Sequence, residues 1–173
     1  KINVQGTVNL LNSALKNKVK RFIHTSTIAT IGKRPDGKPS NEETGFDFKK
    51  ASHYARSKYL AEREVLKFCQ KGLSAIILNP AIVIGERDYK PTPSGEVIVK
   101  FLNRSYPGYF DTTWAIAGID DIARAHIAAI ERGRVGERYI LCYKKHYSLK
   151  EIFNLLEEIS GVKAPWIKIP YPL

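Results

Sequence analysis

Ser74-Ala75-Ile76-Ile77-Leu78-Asn79 is the segment that most narrows the choice of fold. A strand with one wet face alternates apolar and polar residues. A continuous apolar run with a glycine just before it, at Gly72, reads instead as a strand covered on both faces, the situation of a parallel sheet. Parallel strands need long crossover connections, usually helical, and the rest of the chain supplies them. Residues 3–17 read as a helix with Val4, Val8, Leu11 and Leu15 on one face, closed by positive charge at 18–20. A short strand, Arg21 to Thr25, follows. Residues 32–50 are rich in Gly, Pro, Asp, Asn and Lys and read as a long surface loop, a length that tends to be functional. A helix from about Ser52 to Lys71 ends at Gly72, and a shorter one, roughly 96–104, follows the loop Pro91-Thr92-Pro93-Ser94-Gly95. Asp120 and Asp121 are N-cap candidates for a helix that runs to about Arg132 and ends at Gly133. Arg138 to Cys142 is a further strand. Ser148-Leu149-Lys150-Glu151 is a capping box that opens a helix with Leu149, Ile152, Phe153, Leu156 and Ile159 on its apolar face, stopped by Gly161. Helix and strand alternate throughout, which predicts an α/β fold with a parallel sheet.

A chain of 173 residues can bury about 70% of its unfolded surface, and one domain is the default. The longest apolar stretch, Ala75 to Gly85, is broken by Asn79 and Pro80 and is far too short to span a membrane. Lys1-Ile2-Asn3 opens neither a secretory signal nor an initiator methionine, so the chain reads as an internal piece of something longer. Cys69 and Cys142 match no zinc or Cys-x-x-Cys spacing, and a reducing cytoplasm is the simplest inference. His24, His53, His126 and His146 are scattered without ligand spacing, so no metal site is expected. The net charge of +11 raises the question of nucleic acid. The basic residues are dispersed, however, and no helix carries a basic stripe interleaved with aromatics. A solvated basic surface is the first reading, an anionic small ligand the second, and nucleic acid is disfavoured.

Tyr54 and Lys58, in Tyr-Ala-Arg-Ser-Lys, share one face of the second helix, roughly 5–6 Å apart at Cβ. A free tyrosine titrates near pH ~10, and a fixed ammonium beside a phenol favours its ionised form. Such a pair can pass a proton to or from an alcohol or carbonyl oxygen while another agent moves a hydride. The motif alone is weak, since about one is expected by chance in so Tyr- and Lys-rich a chain, and an ordinary exposed helix pair is the competing reading. Its setting strengthens it. Thr25-Ser26-Thr27 ends one strand before the helix and Asn79-Pro80 ends another after it, and open parallel sheets bind ligands beyond the carboxyl ends of their strands.

With those segments in place, the chain resembles the extended short-chain dehydrogenase/reductase family. The matching runs are Asn3-Val4-Gln5-Gly6-Thr7, Arg21 to Thr27, Tyr54 to Lys58, Asn79 to Gly85, Ile119 to His126 and Gly136 to Leu141. Arg87 to Gly95 is similar to the bacterial dihydroflavonol-4-reductase-like branch, which includes hopanoid-associated sugar epimerases. The resemblance implies that residues 1–85 are the later half of a dinucleotide-binding Rossmann domain, with a substrate-lobe segment at 86–118. Residues 119–142 would then return to the sheet, and 143–173 would begin a C-terminal substrate lobe. It implies NAD or NADP as cofactor, and a nucleotide sugar or a flavonoid-like or other small carbonyl compound as substrate. Tyr54 takes the role of general acid/base, Lys58 lowers the phenol's pKa and holds the nicotinamide ribose, and Thr27 is the third catalytic hydroxyl. Cofactor contacts fall on Thr25, Ser26, Tyr54, Lys58 and the Pro80, Ala81, Ile82, Val83 segment. Substrate contacts fall on Thr27, Asn79 and Ser94, with Tyr89 a further loop candidate. Asn3 matches a family asparagine near the active-site end of its helix, with a local backbone-bonding role as the alternative, and His126 reads as structural.

Reductase and epimerase remain equal alternatives. A sugar dehydratase is disfavoured, because Ile28-Ala29 follow Thr27 where dehydratases of the family carry an Asp-Glu pair. Family members commonly dimerise through two long helices, here 3–17 and 52–71. One departure matters: the family's Gly-x-x-Gly-x-x-Gly loop is absent from these residues, so the isolated polypeptide is expected to bind dinucleotide poorly. The alternative of another class is a non-catalytic binding protein that uses the basic surface for nucleic acid or a protein partner. Its signature would be a steep salt dependence of affinity.

Overall fold

The computed structural model describes residues 2–170. In chain order the elements are α1 (Ile2–Lys16), β1 (Phe22–Thr25), a one-turn 3-10 helix (Ile28–Thr30), α2 (His53–Gln70), β2 (Ala75–Pro80), β3 (Ile82–Ile84), α3 (Pro93–Leu102), β4 (Thr113–Trp114), β5 (Ile116–Gly118), α4 (Ile119–Arg132), β6 (Arg138–Leu141), β7 (Tyr147–Ser148) and α5 (Leu149–Ser160). They divide into two compact units, residues 2–81 with 121–141 and residues 82–120 with 142–170.

The first unit is built on a parallel sheet of order β1-β2-β6. Every residue of central β2 is buried, as its unbroken apolar run requires. Successive side chains alternate between the sheet's faces. Ala75 and Ile77 join Leu11 and Ala14 of α1 and Val65 and Phe68 of α2 in one core. Ile76 and Leu78 meet Ala129 of α4 on the other face. Asn79 follows the alternation onto the α2 side, where it meets polar groups instead of a core.

The loop between the 3-10 helix and α2 is irregular but tied down. Ser40 Oγ donates to the Gly32 carbonyl at 2.7 Å, and a Cβ on Gly32 would stand 1.7 Å from the Gly45 carbonyl oxygen. Arg56 of α2 donates to the Phe48 and Lys49 carbonyls at 2.8 and 2.7 Å.

The second unit carries the parallel pair β3-β5 and the antiparallel pair β4-β7. Phe101 of α3 stacks on Phe153 of α5 with ring centroids 5.3 Å apart. The Ser148–Glu151 capping box forms, and Gly161 ends α5 in the left-handed region at φ 72°.

Three local expectations are corrected. Helix α3 starts at Pro93 rather than near 96, because Thr92 caps it by accepting from the Gly95 amide and Pro93 fits the first turn. Helix α4 starts at Ile119, so Asp120 and Asp121 lie inside its first turn, where carboxylates meet the positive end of the dipole. Ile159 is 83% exposed rather than part of the α5 core face.

Candidate active site

The site grows from the first two turns of α2. Ser52 caps the helix by accepting from the Ala55 amide, which sets Tyr54 in the first turn and Lys58 one turn further along the same face. Tyr54 is 56% exposed, so its ring is open to solvent. Lys58 Nζ donates to the Thr25 carbonyl at 2.7 Å, tying α2 to the carboxyl end of β1. Asn3 Nδ2 donates to Ser57 Oγ at 2.9 Å, and Ser57 Oγ donates to the Tyr54 carbonyl at 2.8 Å. Asn3 therefore fastens the start of α1 to the turn that carries the tyrosine.

At the end of β1 the three hydroxyl residues diverge. Thr25 is exposed, and its Oγ1 lies 2.8 Å from His126 Nε2. His126 Nδ1 lies 2.8 Å from the Ile122 carbonyl, which can only accept. A neutral ring therefore holds its proton on Nδ1, and Thr25 Oγ1 donates to Nε2. Thr27 caps the 3-10 turn, its Oγ1 accepting from the Ala29 amide at 3.2 Å. Accepting that bond leaves the hydroxyl proton to be donated to a ligand oxygen. Ser26 is buried, and its hydroxyl donates to the Glu62 carboxylate. Its side chain is spent inside the protein, so any cofactor contact at this position is limited to backbone.

Asn79 is corrected in the same way. Expected to touch substrate, it is fully buried, with its Nδ2 within 3.0 Å of the Thr27 carbonyl, 2.9 Å of Thr30 Oγ1 and 2.8 Å of Glu62 Oε1. The strand alternation that sends it toward α2 also removes it from any ligand surface.

Electrostatically, the site is a cation beside a buried polar cluster. Burial pushes the Lys58 ammonium below its usual range, opposed by the Glu62 carboxylate. His24, on β1, is pushed down to about 4, first by burial and then by Lys58, with Glu62 opposing. His24 is therefore neutral near pH 7.

The remaining predicted contacts are divided. Pro80 ends β2 opposite Leu141, and the Ala81 amide donates to the Leu141 carbonyl at 3.0 Å. Ile82 and Val83 belong to β3 of the second unit, where Ser94 Oγ donates to the Val83 carbonyl at 3.0 Å. Ser94 thus braces that strand. Tyr89 is 89% exposed. Beside them lies a cavity of about 410 Å³ lined by Val83, Ile84, Arg87, Thr92, Ile98 and Ile119 among others. The Asp88 carboxylate on its wall is engaged by the Thr92 amide and hydroxyl, each at 2.9 Å.

Sequence reading missed Glu62, Thr30, Arg138 and Glu42. Glu62 is 2% exposed and faces Arg138 at 3.3 Å across an ion pair. The Glu42 carboxylate accepts from the Ile140 amide at 2.9 Å, and its carbonyl accepts from Arg138. One signal was present: Glu62 continues the Tyr54–Lys58 spacing by another turn, between the core positions Ala61 and Val65.

Comparison with known proteins gives a consistent picture. The profile of the "NAD dependent epimerase/dehydratase family" matches residues 1–142. A Synechocystis protein named "Putative dihydroflavonol 4-reductase" is 39% identical over 173 residues, covering 97% of this chain and 50% of that protein. The crystal structure of gox2253 superposes with a TM-score of 0.91 at 41% identity, covering 96% of this chain and 51% of that one. A UDP-glucose 4-epimerase from Thermotoga maritima, solved with UDP-glucose, superposes with a TM-score of 0.84 at 26% identity, covering 97% and 56%. The chain thus spans about half the length of the proteins it matches.

Proposed function

The chain belongs to the NAD dependent epimerase/dehydratase family, and we propose that it carries the proton-handling half of a nicotinamide-dependent reductase or epimerase. The observation that carries this reading is the 2.7 Å bond from Lys58 Nζ to the Thr25 carbonyl. It fastens the Tyr54–Lys58 face of α2 to the strand end that also bears Thr27. The donor set fits the nicotinamide-ribose end of a dinucleotide, because Lys58 spends one N–H on a backbone carbonyl and an ammonium has two more for ribose hydroxyls. The residues for the pyrophosphate end are not in this sequence, which lacks the glycine-rich loop. When bound, the cofactor supplies or removes a hydride at the substrate carbon.

Tyr54 Oη then gives a proton to the substrate oxygen during carbonyl reduction, and takes it back when an alcohol is oxidised. Thr27 Oγ1 donates a hydrogen bond to the same oxygen and steadies the charge that develops there. The Lys58 ammonium, one turn further along α2, holds the ribose of the cofactor beside that oxygen. The substrate is a carbonyl or secondary alcohol, such as a dihydroflavonol or a nucleotide sugar, by analogy with the named relatives.

The test is a Tyr54→Phe variant of the complete encoded polypeptide, assayed with NADPH or NADH against dihydroquercetin and UDP-glucose. Loss of Tyr54's proton transfer should lower the rate by roughly 10²–10⁴-fold. A Tyr54→Phe variant that turns over at the parental rate would refute the reading.

A further inference from the structure

Glu62 is a carboxylate placed where an apolar residue would be expected, and burying such a group is costly unless its oxygens are paired and hydrogen-bonded. Its oxygens are fully engaged. Oε1 accepts from Ser26 Oγ, from Thr30 Oγ1 at 2.7 Å and from Asn79 Nδ2 at 2.8 Å. Oε2 faces Arg138 at 3.3 Å. The donors are not scattered. Ser26 and Thr30 flank Thr27 in the chain, the second Asn79 N–H reaches the Thr27 carbonyl at 3.0 Å, and the Thr30 hydroxyl, whose single proton goes to Oε1, lies 2.8 Å from that same carbonyl. One carboxylate therefore grips both sides of the residue whose hydroxyl faces the reaction, and Arg138, anchored to the Glu42 carbonyl, holds that carboxylate from behind.

An apolar side chain of the same volume would fill the space, often without loss of stability. The charge at this position is explained by what it fixes rather than by what it buries. A hydroxyl that must meet a reacting oxygen has to be held to a fraction of an ångström, and a misplacement of about 1 Å costs on the order of 10²-fold in rate.

We infer that Glu62 is a positioning residue: through Ser26, Thr30 and Asn79 it sets the backbone and side-chain rotamer of Thr27. The inference rests on the proposed role of the Thr27 hydroxyl. It adds Glu62, one turn beyond Lys58 on α2, to the residues the reaction depends on, although Glu62 touches neither substrate nor cofactor.

The experiment uses the complete encoded polypeptide with methyl-labelled threonine, reading the χ1 state of Thr27 from three-bond couplings to its γ-carbon. Thr7, Thr92 and Thr112 serve as internal controls. Glu62→Gln cannot satisfy three donors and Arg138 together, so Thr27 should change from one rotamer to an average of several while the controls keep theirs. Thr30→Val, which removes the hydroxyl shared by Glu62 and Thr27, keeps the test alive if Glu62→Gln does not fold, and should give the same averaging. In the assay described above, either variant should lower kcat by roughly 10²-fold with KM nearly unchanged. A single Thr27 rotamer in a folded variant, averaging of all four threonines alike, or an unchanged kcat overturns the inference. Thr27→Ala at full activity would instead remove the catalytic reading of Thr27 and leave the clamp geometry standing.

Discussion

His24 sits where a charge is expensive: it is itself buried on β1, near the Lys58 ammonium. Its imidazole is pushed down from 6.5 to about 4, by burial first and Lys58 second. The folded chain therefore refuses a proton that the unfolded chain accepts. Stability from this group is intact above about pH 6.5 and is lost as pH falls toward 4. The full gap is worth on the order of 3 kcal/mol. A His24→Leu variant has no such group to titrate, so urea unfolding between pH 7 and pH 4.5 should show a shallower loss of stability than the parent. Parallel acid losses in the two proteins would show that His24 is not the group responsible. His24 and Glu62 also show why the candidate site was only partly legible. Tyr54 and Lys58 stand out by residue type and spacing, and Thr27 by the strand end it follows together with the family resemblance. The environment of a histidine or glutamate depends on which strand and helix cover it, and spacing carries no record of that.

Single elements differ in how much of their stability is local. Helix α5 begins with a capping box formed by residues three apart in the chain, with the Ser148 amide donating to Glu151 at 2.8 Å and the Glu151 amide to Ser148 Oγ at 3.1 Å. It could be read directly from sequence for that reason. Helix α1 depends instead on packing, since Leu11 is fully buried against α2 and β2. Ser148→Ala should cost about 1 kcal/mol, and Leu11→Ala about 2–5 kcal/mol, both measured by urea denaturation. A cap deletion more damaging than the core deletion would reverse this ranking. The start of α3 was misplaced because Pro91-Thr92-Pro93 reads as a loop. The bonds from the Gly95 amide to Thr92 Oγ1 and from the Glu96 amide to the Thr92 carbonyl show that the helix has already begun.

At the scale of the whole chain, ligand affinity follows from which contacts the residues can supply. On the proposed reading, Lys58, Tyr54 and the backbone around Thr25 would address a ribose and a nicotinamide. No glycine-rich turn is present to bring a pyrophosphate against backbone amides at a helix start. Calorimetric titration of the 173-residue polypeptide with NADH and NADPH should therefore give dissociation constants well above micromolar. Micromolar binding would mean that these residues hold the dinucleotide by another route. Among the described residues, no helix is long and apolar enough to cross a membrane, as the broken Ala75–Gly85 run already implied.

Sequence by itself determined the α/β class, the parallel strand read at 74–79, the helix bearing Tyr54 and Lys58, and the strand end bearing Thr27. Those features are written in short-range patterns: an unbroken apolar run, an i, i+4 pair, a capping box. Tertiary structure alone decided that Asn79 and Ser26 face inward, that His24 is held neutral, and that Glu62 closes a polar cluster around Thr27. Each of those outcomes depends on partners distant in the chain, such as Ser26 with Glu62 and Arg138 with Glu42. A buried charge finds its counterpart only once sheet and helix have packed together.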